Sequence, residues 1–218
     1  MALNKKNLAA VVKDVKSGKF TRKQWGQIAA WVGDGGDGIY RIWDMLDGEG
    51  FTPRDWYNVI RHDPFREDRL GLNVVGDDFE RVVWEIPPHD VPPELTWENV
   101  RMMVDGNKAR TKGGHLGANP NRGKSYVDSP PWMPDDYLYA MQLSLDNPQW
   151  GAFIRTPTYT RTLLREVHGT LFLTQYYNGA AGARFIHTYP IAGANAVFPP
   201  TKVLNGTIMS ILANPQAL

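Results

Sequence analysis

The sequence contains no cysteine, which excludes disulfide staples, thiolate metal sites and cysteine nucleophiles together. It also lacks any apolar run approaching the roughly 18 residues that a membrane-spanning helix needs, so no membrane association is expected. A secretory core is missing as well. The opening Met1-Ala2-Leu3-Asn4-Lys5-Lys6 leads into an amphipathic run interrupted by Lys13, Asp14 and Lys16, and synthesis in a cytoplasm is the expectation. Among the five histidines there is no HExxH or other paired metal spacing, and no GxSxG elbow occurs anywhere. With 218 residues and no covalent staple, stability must come from packing, for which the length suffices in one domain or two small ones.

Charge of one sign is not in excess overall, the formal net charge being +1, but it is unevenly placed. Through Lys23 the chain is basic, with Lys5, Lys6, Lys13, Lys16, Lys19, Arg22 and Lys23 against Asp14. From Trp25 to Val104 acids outnumber bases by roughly two to one. A second basic patch follows in Lys108, Arg110, Lys112, Arg122 and Lys124, and the rest is sparsely charged. A lightly charged half of this kind either folds on a large core or buries surface against partners.

What the chain does contain is a phrase written twice, Phe20-Thr21-Arg22-Lys23-Gln24-Trp25 and Phe51-Thr52-Pro53-Arg54-Asp55-Trp56. Threonine stands where an N-cap oxygen accepts an orphan backbone N–H. Gln24 or Asp55 falls at the third helical position, and the aromatics flank the cap as a hydrophobic staple. Pro53 occupies the first helical position, where its missing N–H costs nothing. Leu8, Val11, Val12 and Val15 predict a helix before the first phrase. Trp25, Ile28, Ala29 and Val32 predict one after it, ended by Gly33. Ile39, Ile42, Trp43 and Leu46 give a third before Gly48, and Trp56, Val59 and Ile60 a fourth that Pro64 closes. Leu95-Thr96-Trp97-Glu98-Asn99-Val100 repeats the logic more loosely in a helix ending at Gly106. Pro134-Asp135-Asp136 opens another, bearing Leu138, Met141 and Leu145, with the two acids complementing its dipole.

Between these helices, Val82-Val83-Trp84-Glu85-Ile86 reads as one strand, bounded by the pairs Pro87-Pro88 and Pro92-Pro93. Residues 105–134 form a long glycine-rich loop. After residue 150 the chain is β-rich, with hairpin signals at Asn178-Gly179, between 171–177 and 184–189, and at Asn205-Gly206. The fold class expected is α+β: a small N-terminal helical bundle (1–62), a proline-rich connector with a short strand and helix (63–105), and a C-terminal unit (106–218). That last unit comprises the long basic loop, an antiparallel sheet or sandwich, and one packed helix.

Ala118-Asn119-Pro120-Asn121-Arg122-Gly123-Lys124-Ser125 matches the relaxed phosphate-loop pattern with alanine for the first glycine. A working phosphate loop follows a buried strand and opens a helix, and neither flank here has that character. As a basic arm, Lys108, Arg110, Lys112, His115, Arg122 and Lys124 suit phosphates or an acidic neighbour, without the interleaved aromatics of single-strand binders. Asp34-Gly35-Gly36-Asp37-Gly38 and residues 44–50 alternate acids with glycine as calcium loops do. Placing Gly38 at the sixth position of such a loop, however, puts glycines at its first and third. Glu166, His168 and His187 are the residues from which an acid–base cluster would be built, and polar residues on the wet face of a sheet explain them equally. No cofactor and no metal is expected. Tyr159, Tyr176, Tyr177 and Tyr189 are interface candidates, because interfaces enrich tyrosine.

A cysteine-free chain with a helical head, glycine-rich loops, a low-charge Thr/Asn/Ala-rich β half and the uncharged end Asn214-Pro215-Gln216-Ala217-Leu218 resembles virion structural proteins of tailed bacteriophages. The resemblance implies a non-enzymatic structural or assembly protein, capsid- or tail-associated. It would be made in the host cytoplasm and self-associate through its β-rich half, with other virion proteins as partners. A hydrolase acting on peptidoglycan or nucleic acid, and a nucleic-acid-binding protein using the basic loop, are the alternative readings.

Overall fold

The computed structural model describes residues 10–11, 13–14, 17, 21–33, 38–66, 91–107, 113–117, 124–128, 132–155, 159–193 and 196–197. The fold is α+β. The helices are α1 (Arg22–Gly33), α2 (Gly38–Gly48), α3 (Pro53–Ile60), α4 (Trp97–Asp105) and α5 (Pro134–Asp146). The strands are β1 (Tyr126–Val127), β2 (Trp150–Arg155), β3 (Tyr159–Val167), β4 (Thr170–Gly179), β5 (Gly182–Gly193) and β6 (Ala196–Val197). Strands β2-β3-β4-β5 form an antiparallel meander in that order, and β1 pairs antiparallel with β6 in a separate ribbon. No helix among the described residues is long and apolar enough to cross a membrane.

Helix starts follow from local chemistry. The Thr21 N–H donates to Gln24 Oε1 at 2.6 Å while Thr21 Oγ1 accepts from the Gln24 N–H at 3.3 Å. Thr52 with Asp55 and Thr96 with Asn99 close the same reciprocal pair. Each box satisfies two backbone donors that would otherwise lack partners at a helix start. The staple partners enter the core: Trp25, Trp56 and Val100 are buried, as is Leu95 ahead of the third box. Two expectations shift in detail. Ala29 is exposed, and Pro64 does not merely end α3. It begins a further helical turn, capped by Asp63 Oδ1 accepting from the Phe65 N–H at 2.9 Å.

The hairpins differ more. The expected turn at Asn178-Gly179 lies two residues later, because β4 continues through both and Gly179 pairs with Gly182. The loop is Ala180-Ala181, neither residue at positive φ, followed by Gly182 at φ 98. This is the sense of a type I turn closed by a left-handed glycine. β3 and β4 are joined by His168 (φ 53) and Gly169 (φ 73), the double positive φ of a type I′ turn. The strand expected at 82–86 and the hairpin at Asn205-Gly206 lie outside the described residues.

Helix α5 is the shared wall. It packs against α3 and α4 on one side and β3 and β4 on the other; Pro134, Tyr137, Leu138, Ala140, Met141 and Leu145 are buried together with Asp136, Gln142 and Ser144, and Tyr139 and Leu143 are half-buried. The spacing of Leu138, Met141 and Leu145 suggests a single apolar face, yet a helix between two layers is covered nearly all round. Its inward polar groups are bonded: the Ser144 hydroxyl donates to the Ala140 carbonyl at 2.6 Å, and Gln142 Nε2 donates to Asp146 Oδ1 at 3.0 Å. A single hydrophobic cluster runs from Val11 and Trp25 through Trp43, Trp56 and Val100 to Met141, Phe172 and Tyr176. Helices and sheet therefore share one core.

Candidate functional site

Two polar constellations stand out among the described residues. The first is the opening turn of α5. Pro134 presets the backbone, and Asp136 Oδ2 accepts the Met133 N–H at 2.7 Å. Successive helix positions project about 100° apart, so the next three side chains reach three different neighbours. Asp135 Oδ1 accepts both the Trp43 and the Trp56 indole N–H, each at 3.0 Å. Asp136 Oδ1 accepts from Arg66 Nε at 3.2 Å in a pair buried to 5% and 1% exposure, and the guanidinium lies 4.2 Å over the Tyr139 ring. The Tyr137 hydroxyl donates to the His115 carbonyl at 2.5 Å and accepts from the Val127 N–H at 3.1 Å. Burial pushes the Tyr137 hydroxyl well above its ordinary range. It also pushes the Asp135 carboxyl up to about 7, against the opposing pull of the two indole hydrogen bonds.

A raised carboxyl invites a general-acid reading. The geometry opposes it, because both indoles close on the oxygen from the core side. Asp135-Asp136-Tyr137 is a hub that ties α2, α3, the Arg66 turn, His115 and Val127 to α5. Sequence reasoning takes the two acids only as dipole partners; the missed signal is that each has a buried donor far away in the chain.

The second constellation lies on the sheet. Gln175 is flanked by Thr162 on β3 and His187 on β5. His187 Nε2 donates to Gln175 Oε1 at 2.6 Å, and Gln175 Nε2 donates to Thr162 Oγ1 at 2.8 Å. The row spans three strands, a cross-strand pairing that strengthens a sheet. The His187 ring meets Tyr189 edge-on at 5.1 Å, and Tyr189 stacks on His115 at 5.9 Å and 12°. His115 Nδ1 donates to the Ser125 carbonyl at 2.6 Å. Burial raises the Tyr189 hydroxyl above its ordinary value.

The acid–base trio of the alternative, enzymatic reading does not assemble. Glu166 is exposed on β3. His168 is in the turn, stacked on Tyr139 at 5.8 Å and edge-on to Trp132 at 6.1 Å. Glu166 pairs with Leu171 and His187 with Gln175, four residues apart along β4, or roughly 13 Å, with β4 itself between them. The phosphate-loop match likewise lacks its setting. Lys124-Ser125 runs into strand β1 rather than a helix, and Ser125 is fully buried; residues 118–123 lie outside the described residues.

Of the basic loop, Lys108, Arg110, Lys112 and Arg122 lie outside the described residues, and Lys124 is half-buried. The interface tyrosines divide. Tyr176 is fully buried in the core and offers no surface, a correction that follows from its side of the sheet facing α5. Tyr177 is half-buried, 6.0 Å beneath the Arg184 guanidinium. Tyr189 is half-buried, and the side chain of Tyr159 lies outside the described set. Of the calcium-like segments, residues 34–37 are outside it too. Asp44 pairs with Arg101 at 2.5 Å, and Gly50 turns the chain at φ 79. No cluster of three or more His, Asp or Glu side chains able to hold a metal occurs among the described residues. Compared with protein-family models, curated proteins and solved structures, the chain matches none of them.

Proposed function

We propose that this chain is a non-enzymatic assembly protein, a structural component of the virion kind its sequence resembles, that joins copies of itself through its C-terminal β half. The supporting observation is the unequal treatment of the two edges of the sheet. The β5 edge carries register breaks at Ile186 and Ile191 together with Pro190, the devices by which a sheet edge is blunted. Strand β2 is hydrogen-bonded to β3 and, among the described residues, to no strand on its other side. Its sequence, Trp150-Gly151-Ala152-Phe153-Ile154-Arg155, holds no proline, no lysine and a single charge. An apolar, unguarded edge is a template for a further strand, and a second copy of the chain supplies one at high local concentration.

Light scattering on the purified protein tests this. The mass is expected to exceed that of a monomer and to rise with concentration, whereas Ala152→Lys stays monomeric with an unchanged circular dichroism spectrum. A wild-type monomer up to millimolar concentration removes the support.

A further inference from the structure

A neighbouring copy can meet β2 with either edge of its own sheet, β2 or β5, and the two edges are not equivalent. Helix α4 and strands β1 and β6 pack against β5, and Pro190 gives it no N–H for a further ladder at that position. Farther along, β5 is exposed at Arg184 and Ile186, which place a charge and a register break within the strand. Both discourage a further partner. Strand β2 keeps one unbroken antiparallel register against β3 over all six of its residues, and its single charge stands at its last position, Arg155. Among the described residues no strand lies on its outer side. Of the two edges, β2 is the one that can both offer and accept a strand.

We propose, resting on the assembly reading above, that β2 pairs with β2 of a second copy, antiparallel across a two-fold axis perpendicular to the sheet. The two four-stranded meanders then become one continuous sheet, and both copies of α5 lie on the same face of it. Antiparallel ladders are also the more stable per residue. An axis at Ala152 or Phe153, the middle of the strand, sets most of Trp150–Arg155 against its copy. It also keeps each Arg155 from standing opposite its twin, a like-charge pair that would weaken the ladder. Such an interface uses the same patch on both subunits and closes at two chains. Pairing of β2 with β5 of the next copy is head-to-tail instead and builds rings or filaments.

Disulfide trapping tests the pairing, because the sequence has no cysteine and each of Ala152→Cys and Phe153→Cys carries a single thiol. Residues facing their own copy across an antiparallel two-fold have Cα atoms about 4.5–5.5 Å apart, within reach of a disulfide. In β2-on-β5 pairing, equivalent positions are four strand spacings apart, roughly 19 Å, and cannot be bridged. Mild oxidation is expected to link one of the two variants into a covalent dimer, while Ala180→Cys, at the exposed hairpin tip, stays unlinked under the same conditions. Light scattering on the unmodified protein is expected to rise with concentration and level off at two chains. A mass that climbs past two chains, or self-association in which neither variant links, overturns the two-fold pairing and leaves assembly through the β half standing. A wild-type monomer at every concentration overturns both, and that measurement needs no variant to fold.

Discussion

Asp136→Ala is expected to cost about 3–5 kcal/mol, the usual penalty for leaving one member of a buried ion pair alone. Arg66 is 5% exposed and its Nε is 3.2 Å from Asp136 Oδ1, so the substitution strands a guanidinium against the Tyr139 ring with no carboxylate to answer it. The same change removes the acceptor for the Met133 N–H, a cap worth about 1 kcal/mol. In thermal melts the sum reads as a fall of roughly 10 °C or more for a chain of this size. Asp136→Asn preserves the cap and a neutral acceptor, and is expected to lose less. Pairing Asp136→Ala with Arg66→Met removes the orphaned charge and should recover part of the loss. If Asp136→Ala alone is no more harmful than the pair, the ion pair is not what holds that corner.

Gly113→Ala is the second large effect. Gly113 has φ +64, and a methyl group there would sit 1.6 Å from the Met102 carbonyl oxygen, a separation no side-chain adjustment relieves. The close approach exists because residues 113–116 finish α4. The Gly114 N–H donates to the Met102 and Met103 carbonyls at 3.2 and 3.0 Å, the His115 N–H to Met103 at 3.0 Å, and the Leu116 N–H to Val104 at 3.1 Å. The Met103 and Val104 carbonyls are among those a helix end leaves without partners, while Met102 also accepts from the Gly106 N–H at 2.9 Å. Displacing the segment gives up several such bonds, each worth about 1 kcal/mol, and adds the strain of a left-handed alanine. It also moves His115 away from Ser125 and Tyr137. A loss of about 3–5 kcal/mol is expected, measurable by urea unfolding. A midpoint within error of wild type would mean that the 113–116 segment does not cap α4 in solution.

How far the sequence speaks depends on the range of the interaction. The Thr-box helix starts are legible because acceptor and donor are three residues apart, and the structure realises all three. The α+β class is legible for the same reason, helical spacing in one half and β-branched alternation in the other. The hub on α5 is not, because Trp43 and Asp135 are 92 residues apart, and nothing local marks an aspartate as the meeting point of two indoles. Turn chemistry falls between. Asn178-Gly179 carries the stronger local signal, but Gly182 can take the left-handed position just as well, and cross-strand pairing to Gly179 selects it. His168-Gly169 escapes notice because histidine is an uncommon choice at positive φ. The alternative trio of Glu166, His168 and His187 fails on the same ground, since one member is drawn into that turn and the others flank opposite sides of β4. Tyr176 shows that aromatic content alone does not separate core from interface; the side of the strand does.

The same dependence on long-range pairing makes the β2 edge the place to test the assembly reading. Hydrogen exchange of the backbone amides, followed at increasing protein concentration, reports on it directly. Protection across 150–155 is expected to rise with concentration while that of α5 stays constant, because only the edge gains partners. Protection of β2 that is independent of concentration would contradict assembly through this edge.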